Sequence, residues 1–176
     1  MSTTEAPCRW VVFAVGNESR GDDALGPALL GRLEALLGRW TGEGRVVAQP
    51  TVVVDFQLQV EHALDLLGHD LALFIDAGSG TPAPFAFYEQ PERAVPAHTS
   101  HALAPAAVLE VYRRLHGEAP PPAFVLCLRG EGFELGEPLS ALAQAHLDAA
   151  SAFLTDLLAE VGEARWRCLQ RNPPPP

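Results

Sequence analysis

The sequence predicts an α/β fold with a mainly parallel sheet covered by helices on both faces. Three short runs are apolar throughout, without the alternation expected of a strand that has one exposed face, so they indicate buried strands. They are residues 10–15 (WVVFAV), 71–75 (LALFI) and 123–128 (AFVLCL). Segments with helical periodicity separate them, and strands that alternate with helices favour parallel pairing.

The other elements follow from periodicity and from turn residues. The first helix is predicted over residues 23–37, where leucines recur on one face, and Gly38 is its expected stop. The remaining predictions are extended chain over 45–54 with a break at Pro50, a helix over 59–67 closed by Gly68, an edge strand over 85–89, a helix over 103–115 closed by Gly117, and a long helix over 140–161.

A chain of 176 residues is expected to form one domain. We assign it residues 8–165 and expect the proline-rich segment 166–176 to be disordered. No apolar run approaches membrane-spanning length, and the amino terminus lacks a basic region followed by an apolar one. The expected location is therefore the cytoplasm.

The charge balance excludes two classes of partner. Asp and Glu number 22 against 12 Lys and Arg, for a formal net charge of −10. Nucleic acids and anionic membranes both favour clustered Lys and Arg, so neither is expected as a partner. Cys8, Cys127 and Cys168 are scattered without CxxC spacing, which argues against a disulfide framework or a structural zinc site.

Acidic residues follow each of the first three predicted strands. Asp22 and Asp23 come after the first, Asp55 ends the second, and Asp76 ends the third, while His101 precedes a later helix. Because the carboxyl ends of parallel strands share one edge of a sheet, these side chains are expected to converge there. Mixed oxygen and nitrogen donors suit a divalent ion such as zinc or nickel, with open positions for water or substrate.

Asp23, Asp76 and His101 are the preferred metal ligands, and His98 ranks behind His101. Asp55 is a further acid that serves as a general base or positions the substrate. Each residue also has a structural interpretation, since Asp commonly caps helices and turns and a histidine near a helix start is often only a hydrogen-bonded polar residue. The other histidines are interpreted as surface residues: His62 (paired with Asp65), His69, His116 and His146.

Familiar catalytic motifs are absent from the sequence. It contains no HExxH, no GxSxG and no P-loop, and Gly16 stands without the other glycines of GxGxxG. A serine or cysteine hydrolase is therefore disfavoured, and a small nucleotide-binding domain has weak support.

Several short motifs of this chain, by their order and spacing, resemble those of the [NiFe] hydrogenase maturation endopeptidases. The resemblance rests on Gly16-Asn17 after a strand, on Asp22-Asp23 followed by Gly26, on Asp76-Ala77 and on Ser100-His101, and it runs from Val11 to the last long helix. Segments 20–27, 56–61 and 129–138 are similar to the branch that serves soluble NAD-reducing hydrogenases.

The resemblance implies a fold, an activity and a site. The fold is a three-layer α/β/α sandwich with a twisted sheet. The activity is that of a nickel-dependent, aspartic-type endopeptidase, which removes the carboxy-terminal extension of the hydrogenase large-subunit precursor after nickel insertion. The family's metal-contacting positions fall on Asp23, Asp76 and His101, and the nickel comes with the precursor. Zinc or another divalent ion is the alternative occupant in the free protein, which we expect to be a monomer.

The chain departs from the family pattern at two places. Many relatives have Glu where this chain has Asp23, and many have Asp-Gly-Gly-Thr where it has Asp55-Phe56-Gln57-Leu58. Phe56 and Gln57 are therefore candidates for selecting the large subunit. The alternative to an endopeptidase is a non-catalytic docking module or metallochaperone for a nickel-loaded subunit, which would use the same three side chains.

Overall fold

A computed structural model of the chain describes residues 7–91 and 103–173. It contains a five-stranded sheet of order β2-β1-β3-β5-β4, in which only the edge strand β4 is antiparallel to its neighbour. The predicted fold class is therefore confirmed. The strands are β1 (Trp10–Val15), β2 (Thr51–Asp55), β3 (Leu71–Gly78), β4 (Phe85–Glu89) and β5 (Ala123–Arg129).

Helices cover both faces of the sheet and give three layers. The helices α1, α3 and α4 pack on one face, and α2 and the second of two short 3-10 helices pack on the other. None of the described helices is both long and apolar enough to cross a lipid bilayer. The helices are α1 (Leu25–Gly42), α2 (Pro105–His116), α3 (Ala141–Ala159) and α4 (Glu163–Cys168), with 3-10 helices at Gly21–Ala24 and Val60–Leu66.

The unbroken apolar sequence of β1 reflects burial on both faces. Trp10 and Val12 pack into the core beneath α1 and α3, whereas Val11 and Phe13 pack into the core beneath α2. Successive side chains of a strand point to opposite faces, so a central strand between two helical layers needs an apolar residue at every position.

Two predicted helices differ from the structure. The first continues past Gly38 to Gly42, because Trp40 is buried against the core and a glycine within a helix is tolerated when packing supports the next turn. The segment predicted as a helix over 59–67 forms the 3-10 helix Val60–Leu66, which Gln59 and His62 cap reciprocally.

The predicted domain end at residue 165 falls inside α4, and the prediction of a disordered segment is wrong for residues 166–173. Trp166 is completely buried, and its indole N–H donates to the Leu157 carbonyl at 2.9 Å. Beyond the helix, Arg171 forms an antiparallel bridge with Phe87 of β4. The buried Trp166 ring and the backbone pairing of Arg171 hold this segment in place, although its composition is rich in proline. Residues 174–176 lie outside the described part of the chain.

Candidate active site

The candidate site lies where the strand order changes direction. Strand β2 lies on one side of β1, and the next strand along the chain, β3, lies on the other side. The loops that leave β1 and β3 therefore diverge, and a crevice opens between them at the carboxyl ends of the strands. Asp23 and Asp76 line the same cavity there, with a volume of about 310 Å³. The cavity is lined by Val15, Arg20, Asp23, Phe56, Gln57, Leu58, Asp76, Ala77 and Leu103.

Asp22 has a structural role. Its side chain is fully buried and accepts hydrogen bonds from the backbone N–H groups of Glu131 (2.8 Å), Gly132 (3.1 Å) and Ser140 (2.8 Å), and from the Ser140 hydroxyl (3.0 Å). Burial by itself raises the pKa of Asp22, but these hydrogen bonds outweigh it and hold the pKa below its usual value. Asp22 therefore ties the loop after β1 to the loop after β5.

Asp23 is the member of the acidic pair that faces the cavity. Its Oδ2 accepts the backbone N–H of Asn17 at 3.0 Å, which fixes the carboxylate over the end of β1. The turn needs glycine at position 16, because Gly16 has φ of +144° and a Cβ there would collide with the carbonyl oxygen of Asp23. A Cβ at Gly26 would likewise collide with the Val15 carbonyl, so both glycines allow the loop and α1 to approach β1 closely.

Asp76 projects from β3 into the same cavity. Its Oδ1 accepts the backbone N–H of Ala77 at 2.7 Å. Burial raises the pKa of Asp76 to about 7, the Ala77 hydrogen bond opposes this rise, and the nearby charge of Asp23 adds to it. A carboxyl group with a pKa near neutrality can bind a cation when ionised or exchange a proton, which is the property expected of a functional group.

Asp55 lies beside a buried histidine. His62 Nδ1 accepts the backbone N–H of Gln59 at 3.0 Å, so the ring proton lies on Nε2, which is 3.4 Å from Asp55 Oδ2. The imidazole packs against the Phe13 ring with centroids 5.8 Å apart. The prediction that His62 is a surface residue paired with Asp65 is therefore wrong, because its ring caps a 3-10 turn that lies over the sheet.

His146, also predicted at the surface, is buried as well, with Nδ1 at 2.8 Å from the Arg129 carbonyl oxygen. Its helix α3 packs on the sheet, and this contact spans the loop that follows β5. The sequence predicted neither its burial nor its partner, so the interpretation of His146 as a surface residue is wrong.

Asp55 lies beside the first cavity and lines a neighbouring one of about 390 Å³. Phe56 lines both cavities, so the two form adjoining parts of one surface at the ends of β1 and β2. The structure thus places Asp23 and Asp76 together and Asp55 next to them.

The predicted imidazole ligand His101 and its alternative His98 lie outside the described residues. Leu103, two positions after His101, lines the cavity that holds Asp23 and Asp76. Within residues 7–91 and 103–173, no group of three His, Cys, Asp or Glu side chains is placed to hold a metal ion. The described site supplies two carboxylates, which are suitable but incomplete ligands for zinc or nickel.

Sequence reasoning did not select Arg20 as a site residue. Its Nε donates to the Phe133 carbonyl at 2.9 Å, and its side chain lines the cavity with the two carboxylates. A guanidinium group so placed offers hydrogen-bond donors to a polypeptide carbonyl or carboxylate. The only available signal was its position within the Arg20–Pro27 segment that resembles the family.

Cys127 is a protonated, partly buried thiol beside Asp76 in the sheet. Its Sγ lies 2.9 Å from the Thr81 hydroxyl, and burial raises the pKa of Cys127 to about 11. A thiol with so high a pKa is a poor nucleophile.

No protein-family model matches the chain, and no curated protein matches it. Its fold does match solved structures. The [NiFe] hydrogenase maturation protease HycI from Thermococcus kodakarensis superposes with a TM-score of 0.63 at 20% identity, over 89% of this chain and 96% of that one.

Two Escherichia coli structures are also similar. The hydrogenase maturating endopeptidase HybD matches with a TM-score of 0.63 at 25% identity, over 88% of this chain and 94% of that one. The endopeptidase HycI matches with a TM-score of 0.60 at 17% identity, over 85% of this chain and 90% of that one. The structural neighbours are hydrogenase maturation proteases, and these comparisons show that the chain has their fold.

Proposed function

We propose that this chain is an endopeptidase that removes the carboxy-terminal extension of a [NiFe] hydrogenase large-subunit precursor after nickel insertion. The observation that carries the proposal is the pairing of Asp23 with Asp76 in one cavity at the strand switch point, in a fold shared with hydrogenase maturation proteases. The resemblance of segments 20–27, 56–61 and 129–138 supports a substrate from the soluble NAD-reducing branch, and we expect the protease to act as a cytoplasmic monomer.

In this proposal, the substrate's nickel is recognised by Asp23, Asp76 and His101. Two carboxylates and an imidazole form only part of a coordination shell, so donors of the precursor complete it. A precursor without nickel then lacks the anchor that holds its scissile segment in the cavity. Zinc or another divalent ion is able to occupy the same ligands in the free protein.

The surrounding residues have distinct tasks. Asp55 is the additional acid, which takes a proton from the attacking water or orients the peptide, and His62 Nε2 lies 3.4 Å from its carboxylate. Arg20 binds a carbonyl or carboxylate of the polypeptide. Phe56, a residue that is 71% exposed, and Gln57 contact the substrate and select the large subunit.

The test is incubation of the purified protein with nickel-loaded and nickel-free precursor, followed by intact mass measurement. We expect a discrete carboxy-terminal loss only from the loaded precursor. Asp76→Asn and His101→Ala should abolish this loss, whereas Asp156→Asn, which removes an exposed carboxylate from α3, should not change it.

Three results would contradict parts of the proposal. Full activity of Asp76→Asn or His101→Ala would refute the assigned site. Efficient cleavage of nickel-free precursor would refute recognition through nickel. Binding of loaded precursor without any cleavage would identify a docking module or metallochaperone in place of an endopeptidase.

A further inference from the structure

The edge strand β2 presents unused backbone hydrogen-bonding groups. It pairs with β1 alone among the described strands. The Asp55 carbonyl accepts the Gly16 N–H at 3.1 Å, so Asp55 directs its backbone polar groups toward β1. Because these directions alternate along a strand, Val52 and Val54 direct their N–H and C=O groups outward, away from the sheet.

Within the described part of the chain, this edge is apolar and no element covers it. The residues Val52, Val54 and Phe56 are 39%, 57% and 71% exposed. Proteins commonly protect an edge strand with Lys, Pro or a bulge, but β2 has the sequence TVVVD and pairs in unbroken register with β1. An edge of this kind favours the addition of another extended chain.

A groove between β2 and α1 connects this edge to the candidate active site. Val52 and Val54 are in register with Val12 and Ala14, which belong to the core on the α1 side, so both valines face that side. Val52 lines a cavity of about 540 Å³ with residues of α1, and Val54 lines the cavity of about 390 Å³ that contains Asp55. Phe56 joins this second cavity to that of Asp23 and Asp76.

The charge of the groove restricts its occupant. Glu34 lines the cavity of about 540 Å³, and Glu18 and Asp55 line the cavity of about 390 Å³. Among the described residues, no Lys or Arg lines either cavity. An acidic segment is therefore repelled, whereas an apolar segment with neutral or basic flanks is accepted.

We propose that the edge of β2 docks the scissile segment of the substrate polypeptide, which adds to the sheet as a sixth strand. This inference rests on the proposed function, whose substrate is a polypeptide cut near its end. Outward backbone groups of Val52 and Val54 bind the peptide backbone, and the groove takes alternate apolar side chains. At about 3.3 Å per residue, the distance from Val52 to Phe56 accommodates four or five substrate residues and leads the chain toward Asp76.

Val54→Pro tests the backbone contact. Proline removes the outward N–H without breaking a β1–β2 hydrogen bond, and edge strands tolerate proline where the N–H faces solvent. We expect KM for nickel-loaded precursor to rise by about tenfold, with kcat changed less than about twofold. Val54→Thr keeps the N–H and the branched shape of the side chain, so the KM of Val54→Pro relative to that of Val54→Thr measures the loss of the backbone contact alone. An unchanged KM in folded Val54→Pro would overturn the inference.

Amide exchange resolved by residue in the wild-type protein supplies a second test that needs no variant. The Val52 and Val54 amides should exchange rapidly in the free protein. A metal-free peptide spanning the cleavage site of the precursor, added in large excess to offset the missing nickel contact, should protect them. Protection should not arise with a scrambled peptide of the same composition in which charges occupy alternate positions.

The outcomes separate this inference from the proposed function. If wild-type protein cuts loaded precursor while both amides remain unprotected by the peptide, the docking strand is refuted and the endopeptidase stands. If wild-type protein neither binds nor cuts loaded precursor, the proposed function fails and the inference fails with it. Protection that rises with protein concentration, accompanied by a dimer mass, would assign the edge to a second copy and overturn the inference.

Discussion

Asp22 and Asp23 are adjacent in the chain, but their carboxylates contact different parts of the molecule. Asp22 points into the protein and is surrounded by donors from the loop after β5 and from the start of α3. Asp23 points toward the cavity and accepts one backbone hydrogen bond, from Asn17. The pair therefore combines a structural anchor with a carboxylate that faces the candidate site, and mutations can separate the two proposed roles.

Asp22→Asn should lower the free energy of unfolding at neutral pH by about 2–3 kcal/mol, because an amide group would face N–H donors and lose the charged acceptor. Asp23→Asn, the matched control, should change it by less than about 1 kcal/mol while abolishing precursor cleavage. Urea denaturation of both variants measures the difference. Equal destabilisation by the two would contradict the assigned roles.

Asp22 also predicts an effect of acid. Its folded-state pKa is lowered, so its stabilisation is present above its unfolded-state pKa and is lost as the pH falls through the folded-state pKa. The difference between wild type and Asp22→Asn should therefore shrink at acid pH.

Asp76 should have the opposite pH dependence. Its folded-state pKa of about 7 lies above the usual value, so the stabilisation that it contributes at low pH is lost as the pH rises toward 7. In chelator-treated protein, Asp76→Asn should thus be more stable than wild type at pH 8, by about 1–3 kcal/mol, since one pKa unit corresponds to about 1.4 kcal/mol. The Asn side-chain oxygen can still accept the Ala77 N–H.

Thermal unfolding from pH 4 to pH 8 measures this difference between Asp76→Asn and wild type. The two curves should converge near pH 4, where the wild-type carboxyl is protonated in the folded state. A constant difference across the range would mean that Asp76 ionises with an ordinary pKa.

At the scale of elements, α4 is a short helix whose packing depends on one side chain. The ring of Trp166 makes edge contacts with Trp10 of β1 and Phe124 of β5, with centroids 5.8 Å and 5.4 Å apart. It also contacts Phe87 of β4 at 6.1 Å. Such contacts bury a large aromatic area against three strands, so α4 completes the core beneath α1 and α3.

Trp166→Ala should lower the free energy of unfolding by about 3–5 kcal/mol, because it leaves a cavity among buried aromatic side chains. Cys168→Ala, an exposed position on the same helix, should have little effect and serves as the control. Chemical denaturation monitored by circular dichroism measures both. A loss below about 1 kcal/mol for Trp166→Ala would contradict the role assigned to this side chain in the core.

At the scale of the whole molecule, the strand order places the carboxylates and the free sheet edge on neighbouring loops. The reversal between β1 and β3 opens the cavity of Asp23 and Asp76, and β2 ends beside it at Asp55. A site assembled from separate loops can bind a metal ion brought by the substrate without holding that ion tightly itself.

Chelation therefore gives a test at this scale. A divalent-metal chelator should change the melting temperature of the free protein by less than about 1 °C, because an ion bound weakly contributes little to stability. Differential scanning fluorimetry with and without chelator measures this, with added magnesium as the control for ionic effects. A fall of several degrees on chelation, reversed by zinc or nickel, would establish a resident metal instead.

The local pattern of the sequence determined the fold class and the order of the site residues. Unbroken apolar runs specified strands buried on both faces, and the acids at their ends were expected at one edge of the sheet. The preference for Asp23 and Asp76 over Asp22 came from these positions and from the resemblance. The imidazole ligand and the hydrogenase branch stay predictions.

Only the tertiary structure decided the environment of each carboxylate. The donors around Asp22 lie 109 to 118 residues away in the chain, and Trp166 meets partners from three strands. Burial, not sequence neighbours, raises the pKa of Asp76 to about 7. The periodicity of a sequence indicates which face of an element is apolar. Hydrogen bonding and desolvation depend on groups that the fold brings together from distant parts of the chain, so a local sequence pattern does not predict them.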